Sequence, residues 1–135
     1  MLSRRSVLLT SAVAILSGAA LPVLAASRQT SAVQMFDTDN DKTLDLFEAK
    51  KAATALFTKL DSDHDGSVDL RELAGRLSAK ELAVADPDHD GSLTLFEYLA
   101  VVEQRFNAAN PDKDGTLDAR ELNTKAGRAL LRLLK

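Results

Sequence analysis

The chain has no cysteine and no tryptophan, one tyrosine, two methionines and three prolines in 135 residues. Without cysteine, no disulfide can brace the fold. With so few aromatic side chains the hydrophobic core is thin, and something else has to stabilise it. One of the two methionines is the initiator, too few for a methionine-rich groove that captures partner helices. No basic stripe and no base-stacking aromatic cluster is present, so nucleic acid is not an expected partner. No nucleophile–base set is present either, so the protein is not expected to be an enzyme.

Residues 1–25 read as a signal peptide. Arg4 and Arg5 give a positive start, Val7 to Leu21 is a short apolar run, and Val23-Leu24-Ala25 is a small-residue cleavage site, with the cut after Ala25 or Ala26. The run is too short and too rich in Ala, Ser and Gly to span a membrane, so no stable insertion is expected after cleavage. Ser3-Arg4-Arg5-Ser6-Val7-Leu8-Leu9 is similar to a twin-arginine signal, with Val7 where Phe is usual. The Sec and twin-arginine routes both export, so a periplasmic location is expected. Residues 26–135 are expected to form one domain. Losing Arg4 and Arg5 leaves fifteen basic against twenty acidic side chains, a charge of −5.

What the chain has in abundance is clustered acid. Of its 20 Asp and Glu residues, 18 fall in four stretches, 37–48, 61–72, 86–97 and 110–121; only Glu81 and Glu103 lie outside. Each stretch reads D/N-x-D-x-D-x-x-apolar-x-x-x-E, the pattern of an EF-hand calcium loop. The starts lie 24, 25 and 24 residues apart, which makes an internal array. Such a loop offers side-chain oxygens at positions 1, 3 and 5, a carbonyl at 7, a residue at 9 and a bidentate Glu at 12. Large, hard cations want this all-oxygen cage.

Loop 1 supplies Asp37, Asp39, Asp41, the Thr43 carbonyl, Asp45 and Glu48, but Lys42 stands where the turn glycine is expected. A side chain at positive φ there costs about 1 kcal/mol. Loop 2 is complete, with Asp61, Asp63, Asp65, the Ser67 carbonyl, Asp69, Glu72 and Gly66 at the turn. Loop 3 offers Asp86, Asp88, Asp90, the Ser92 carbonyl, Thr94 and Glu97, and loop 4 offers Asn110, Asp112, Asp114, the Thr116 carbonyl, Asp118 and Glu121. Loops 1, 2 and 3 each carry −4; loop 4 carries −2, because Lys113 and Arg120 offset its four acids. Loop 4 is therefore expected to bind most weakly, with loop 1 next. His64 and His89, at position 4 of loops 2 and 3, are expected to face solvent rather than hold a metal. Repulsion among the acids opposes compaction, so metal binding is expected to drive folding.

The spacers set the topology. Ala49–Leu60 reads as an uninterrupted helix with Leu56, Phe57 and Leu60 on one side, and Tyr98–Ala109 as another, with Leu95, Leu99, Val102 and Phe106 in register. The middle spacer contains Gly75 and a capping box, Ser78-Ala79-Lys80-Glu81, and reads as a bend followed by a short helix. Two rods and a bend bring loops 2 and 3 together and leave loops 1 and 4 together. The position-8 residues Leu44, Val68, Leu93 and Leu117 suit the two-stranded contacts 2/3 and 1/4. Ser31–Phe36 can form a short first helix; Asn123 or Thr124 can cap a last one, with Leu130, Leu131 and Leu134 closing the core. The expected class is all-α, a small bundle with metal sites at its two ends.

The spacers of twelve or thirteen residues, the leader, Pro87 and Pro111 at position 2, and the stretch from Asn107 to Leu122 together resemble the lanmodulin family of exported bacterial lanthanide-binding proteins. The resemblance covers essentially all of residues 26–135. It implies a compact three-helix bundle, preference for lanthanide(III) ions over Ca2+, metal-triggered folding, and a place in lanthanide uptake or handling. A protein partner in lanthanide transport or alcohol oxidation is implied with it. Thr38 and Ser62 depart from the family's proline at position 2, and Thr94 from its aspartate at position 9. Charge gives a separate reason: at equal distance a +3 ion gains half again the attraction of a +2 ion. The competing readings are a periplasmic calcium buffer or sensor and a metal-dependent interaction module.

Overall fold

The computed structural model describes residues 32–135; the leader and Ser31 lie outside that range. Residues 32–34 form a helical turn that ends before loop 1. Then follow β1 (Leu44–Asp45), α1 (Leu46–Leu60), β2 (Ser67–Asp69), α2 (Ala79–Ala85), β3 (Ser92–Thr94), α3 (Leu95–Ala109), β4 (Thr116–Leu117), α4 (Ala119–Leu122) and α5 (Lys125–Leu131). The described residues make a small, mostly helical domain with antiparallel two-stranded pairings between loops. α3 packs on both α1 and α5, while α2 and α4 are short.

Both long helices begin earlier than the spacers suggest, at Leu46 rather than Ala49 and at Leu95 rather than Tyr98. The cause is a cap inside each loop. The Asp45 side chain accepts from the Glu48 N–H while Glu48 accepts from the Asp45 N–H, and Thr94 and Glu97 do the same before α3. Two donors left orphaned at each helix start are thereby satisfied. Ser78 and Glu81 form the expected box ahead of α2. Between β2 and α2 the chain bends, with Ala74 and Gly75 both at positive φ (50° and 83°).

The buried face of α1 is Ala49, Ala53 and Phe57; of the expected Leu56, Phe57 and Leu60, Phe57 is buried, Leu60 is partly buried against the core, and Leu56 is only half-buried. Small side chains there let α1 lie close to α3, which buries Tyr98, Val101, Val102, Phe106 and Ala109. Leu95 and Leu99, expected on that face, are only partly buried against the core. Phe57 and Tyr98 meet edge to face, with ring centroids 5.6 Å apart. Thr124 caps α5, and Leu130, Leu131 and Leu134 close the core as expected, joined by Leu133. Gly127 permits that closure: a Cβ there would run into the backbone of Glu121 and Leu122.

β1 pairs with β4, placing Leu44 opposite Leu117, and β2 pairs with β3, placing Val68 opposite Leu93. These are the expected 1/4 and 2/3 contacts in the expected register. All four side chains are fully buried, so each ladder anchors two loops to the core. Among the described residues no helix is long and apolar enough to cross a membrane.

Candidate metal centre

Three carboxylate triads converge among the described residues: Asp37, Asp39 and Glu48; Asp61, Asp63 and Glu72; Asp86, Asp88 and Glu97. In each, one oxygen per residue lies within 4.8 Å of the others. These are positions 1, 3 and 12 of loops 1, 2 and 3. Position 1 anchors the turn, because one oxygen of Asp37, Asp61 and Asp86 accepts the N–H of Lys42 (2.9 Å), Gly66 (3.0 Å) and Gly91 (2.8 Å). The other oxygen is thereby aimed into the loop.

Loop 4 differs at its first residue. The Asn110 amide oxygen accepts from Gly115 N–H at 3.2 Å, and its nitrogen donates to Asp112 at 2.7 Å and Asp114 at 3.3 Å. The amide copies the anchoring bond, yet it presents donors where the other loops present an acceptor. A cation there has to displace those donors first, a cost that the other three loops do not carry at position 1.

Positions 5 and 7 form a local turn in every loop. Asp41, Asp65, Asp90 and Asp114 accept the backbone N–H of Thr43, Ser67, Ser92 and Thr116 at 2.8–3.0 Å, and their hydroxyls at 2.7–3.3 Å. Thr43 immediately precedes β1, and Ser67, Ser92 and Thr116 open β2, β3 and β4. Position 9 turns to the backbone: Asp45, Asp69, Thr94 and Asp118 accept the N–H of the Glu three residues on. Position 9 often reaches an EF-hand ion through water, and a capping side chain suits that indirect role. The D/T-x-x-E spacing in each loop was the sequence signal for these caps.

Backbone strain sits where the turn demands it. Lys42, in place of the turn glycine, has φ 70°. Position 4 is left-handed in all four loops, at Asn40, His64, His89 and Lys113 (φ 57–64°). Only Asn40 signals this in sequence, since Asn tolerates that region. His64 and His89 are exposed, as expected.

The donor set fits a hard cation. Asp86 Oδ1 is buried with no hydrogen-bond partner, a costly state that an ion in the triad with Asp88 and Glu97 would relieve. The position-3 carboxyls show the same crowding. A proton taken up by Asp88 bonds to Asp86, which pushes Asp88 up from the ordinary carboxylate range and holds Asp86 down; with both ionised that bond is absent. Burial pushes Asp63 up, with the charges of Asp65 and Glu72 adding to it against the Asp65 N–H bond. At Asp39 the Asp41 N–H bond is the largest effect and pulls down, but burial and the charges of Asp41 and Glu48 outweigh it. Excess negative charge at these points is what a cation neutralises.

The sequence model described as EF hand matches residues 54–74, which take in the end of α1 and all of loop 2. No curated protein matches the chain. The match and the three triads together make this an EF-hand protein with several acidic EF-loop metal sites.

Proposed function

We propose that the protein is exported to the periplasm, binds trivalent lanthanide ions in its EF-hand loops, holds calcium more weakly, and completes its folding as a compact three-helix bundle on loading. Its role on this reading is lanthanide uptake or handling, with a transport or alcohol-oxidation protein as partner. The observation that carries the reading is the convergence of three carboxylate triads, each with one buried member, in loops of −4 charge. A +3 ion draws half again as much attraction from such a loop as a +2 ion at the same distance, while a +2 ion leaves more charge uncompensated. Magnesium suits the loops poorly, because it wants a small octahedron and keeps its waters. The short spacers, Pro87 and Pro111 support the lanthanide side through the resemblance to lanmodulin.

Calcium is the second reading, and the EF hand match at loop 2 favours it. Asp61, Asp63, Asp65, Asp69 and Glu72 around Gly66 make a loop that suits calcium as well. Titration of helix content by circular dichroism separates the two, first with buffered free lanthanum, then with calcium. Folding at lanthanum levels orders of magnitude below those needed for calcium is the expected result. Comparable midpoints would leave a calcium-binding protein of the same architecture.

A further inference from the structure

In loops 1 and 2 the position-12 carboxylate is tied across the whole loop. Glu48 Oε1 accepts the Thr38 N–H at 2.6 Å and the Thr38 hydroxyl at 2.9 Å, while Oε2 accepts the Asp45 N–H at 3.1 Å. Glu72 repeats the pattern with the Ser62 N–H (3.1 Å), the Ser62 hydroxyl (3.2 Å) and the Asp69 N–H (3.0 Å). Loops 3 and 4 have Pro87 and Pro111 at position 2, with neither N–H nor hydroxyl to offer. There Glu97 and Glu121 are held only locally and through Oε2, Glu97 by the Thr94 N–H at 2.7 Å and hydroxyl at 3.0 Å, Glu121 by the Asp118 N–H at 3.0 Å, and neither is tied to position 2.

We infer that Thr38 and Ser62 are positioning residues that latch loops 1 and 2 shut ahead of the metal, so that these loops fill before their ladder partners. This latch presupposes the metal-binding reading above, though not the identity of the cation. Because β1 pairs with β4 and β2 with β3, each end of the domain joins one latched loop to one unlatched loop. Loop 1 then fills before loop 4, and loop 2 before loop 3. Ordering a flexible Glu side chain at the far end of a loop consumes binding free energy, and a bond already in place removes most of that cost.

The two position-2 donors have different fates. Together they occupy both lone pairs of Oε1, so bidentate coordination displaces one of them. The hydroxyl is the one free to rotate away, and the backbone N–H remains as the latch.

Loops 2 and 3 give the cleanest comparison. Both carry −4, both have Asp at positions 1, 3 and 5, and both have Gly at position 6. The backbone at Ser62 already suits proline: Asp61 ahead of it has ψ 77°, against 88° and 75° at Asp86 and Asn110 ahead of the two natural prolines.

The experiment loads the full chain stepwise with buffered lanthanum(III) alone. NMR follows the amide signals of Gly66 and Gly91, whose N–H groups bond to Asp61 and Asp86. Gly66 is expected to shift at about tenfold lower free lanthanum than Gly91. Ser62→Pro is expected to abolish that lead, Ser62→Ala, which keeps the N–H, to preserve it, and Pro87→Ser to bring Gly91 level with Gly66. An unchanged lead in both Ser62→Pro and Pro87→Ser would overturn the latch, as would Gly91 shifting first in the parent chain. If both signals move together in the parent, the latch alone falls. If neither moves, the metal-binding reading falls and takes the latch with it.

Discussion

The Tyr98 hydroxyl donates to the Leu133 carbonyl at 2.8 Å, deep in the core. Tyr98 directly follows Glu97, the last residue of loop 3, and its ring also meets Phe57 of α1. One side chain thus connects a metal loop, the first long helix and the end of the chain.

Tyr98→Phe should cost about 1–3 kcal/mol, because the buried Leu133 carbonyl loses its donor. Urea unfolding of the loaded protein measures the loss. Burial also pushes the Tyr98 phenol up to about 12 from 10.0. A folded-state value raised in this way contributes stability that is complete below 10.0 and lost as pH rises through about 12. Tyr98 is the sole tyrosine, so ultraviolet titration reads it without interference. The midpoint should fall back towards 10.0 in denaturant.

The metal-free and loaded forms should answer acid in opposite ways. Asp39, Asp63 and Asp88 are raised above 3.8, so without metal the folded chain takes up protons before the unfolded one does. Stability therefore climbs as pH falls towards 3.8. Asp41, Asp65 and Asp86 are lowered; their contribution is present above 3.8 and lost as pH falls through their folded values. Bound metal depresses its ligands instead, so the loaded form only loses stability in acid and unloads below about pH 4. Circular dichroism against pH, with and without lanthanum, compares the two curves. A metal-free curve that declines steadily from neutrality would contradict the position-3 shifts.

Asn110→Asp should strengthen loop 4, which is expected to bind most weakly. The change removes the amide donors that hold Asp112 and Asp114 and takes the loop from −2 to −3. Affinity at loop 4 should rise by about tenfold or more, given the usual strength of charged hydrogen bonds. The Gly115 amide signal reports that site directly. No change in its midpoint would mean that the amide turns aside freely.

Lys42→Gly should strengthen loop 1 by two routes. It relieves about 1 kcal/mol of strain at a left-handed position, and it takes the loop from −4 to −5. Free lanthanum at half-filling of loop 1 should drop by roughly fivefold or more. The residue-42 amide, bonded to Asp37, is the probe.

Much of this architecture could be read in advance because charge and apolarity recur in phase. The acids set the loop register, and Leu44, Val68, Leu93 and Leu117 named the pairings that the two ladders show. Positions 1, 3 and 12 gather as a liganding set should in loops 1 to 3. The helix starts were misplaced because Asp45 and Thr94 were read only as ligands, although each also heads a capping box. The face of α1 is legible only in part: Phe57 is buried and Leu60 packs partly against the core, but Ala49 and Ala53, which the larger leucines outweigh in a hydropathy reading, lie at its centre. The bonds from Thr38 to Glu48 and from Ser62 to Glu72 left only one trace in the sequence, a non-proline residue at position 2, because their partners meet only once the loop has closed on itself.

The two ladders are nested, with Val68–Leu93 lying inside the span that Leu44–Leu117 encloses. Joining the ends of a shorter contour forfeits less chain entropy, and once the inner pair is shut the outer one has less free chain to bring home. α1 and α3 then serve as struts that carry Leu44 and Leu117 towards each other. Helix formation takes about a microsecond or less, so neither strut delays that meeting. Chain entropy therefore favours closure from the middle outward, with Leu44–Leu117 the later of the two ladders to form.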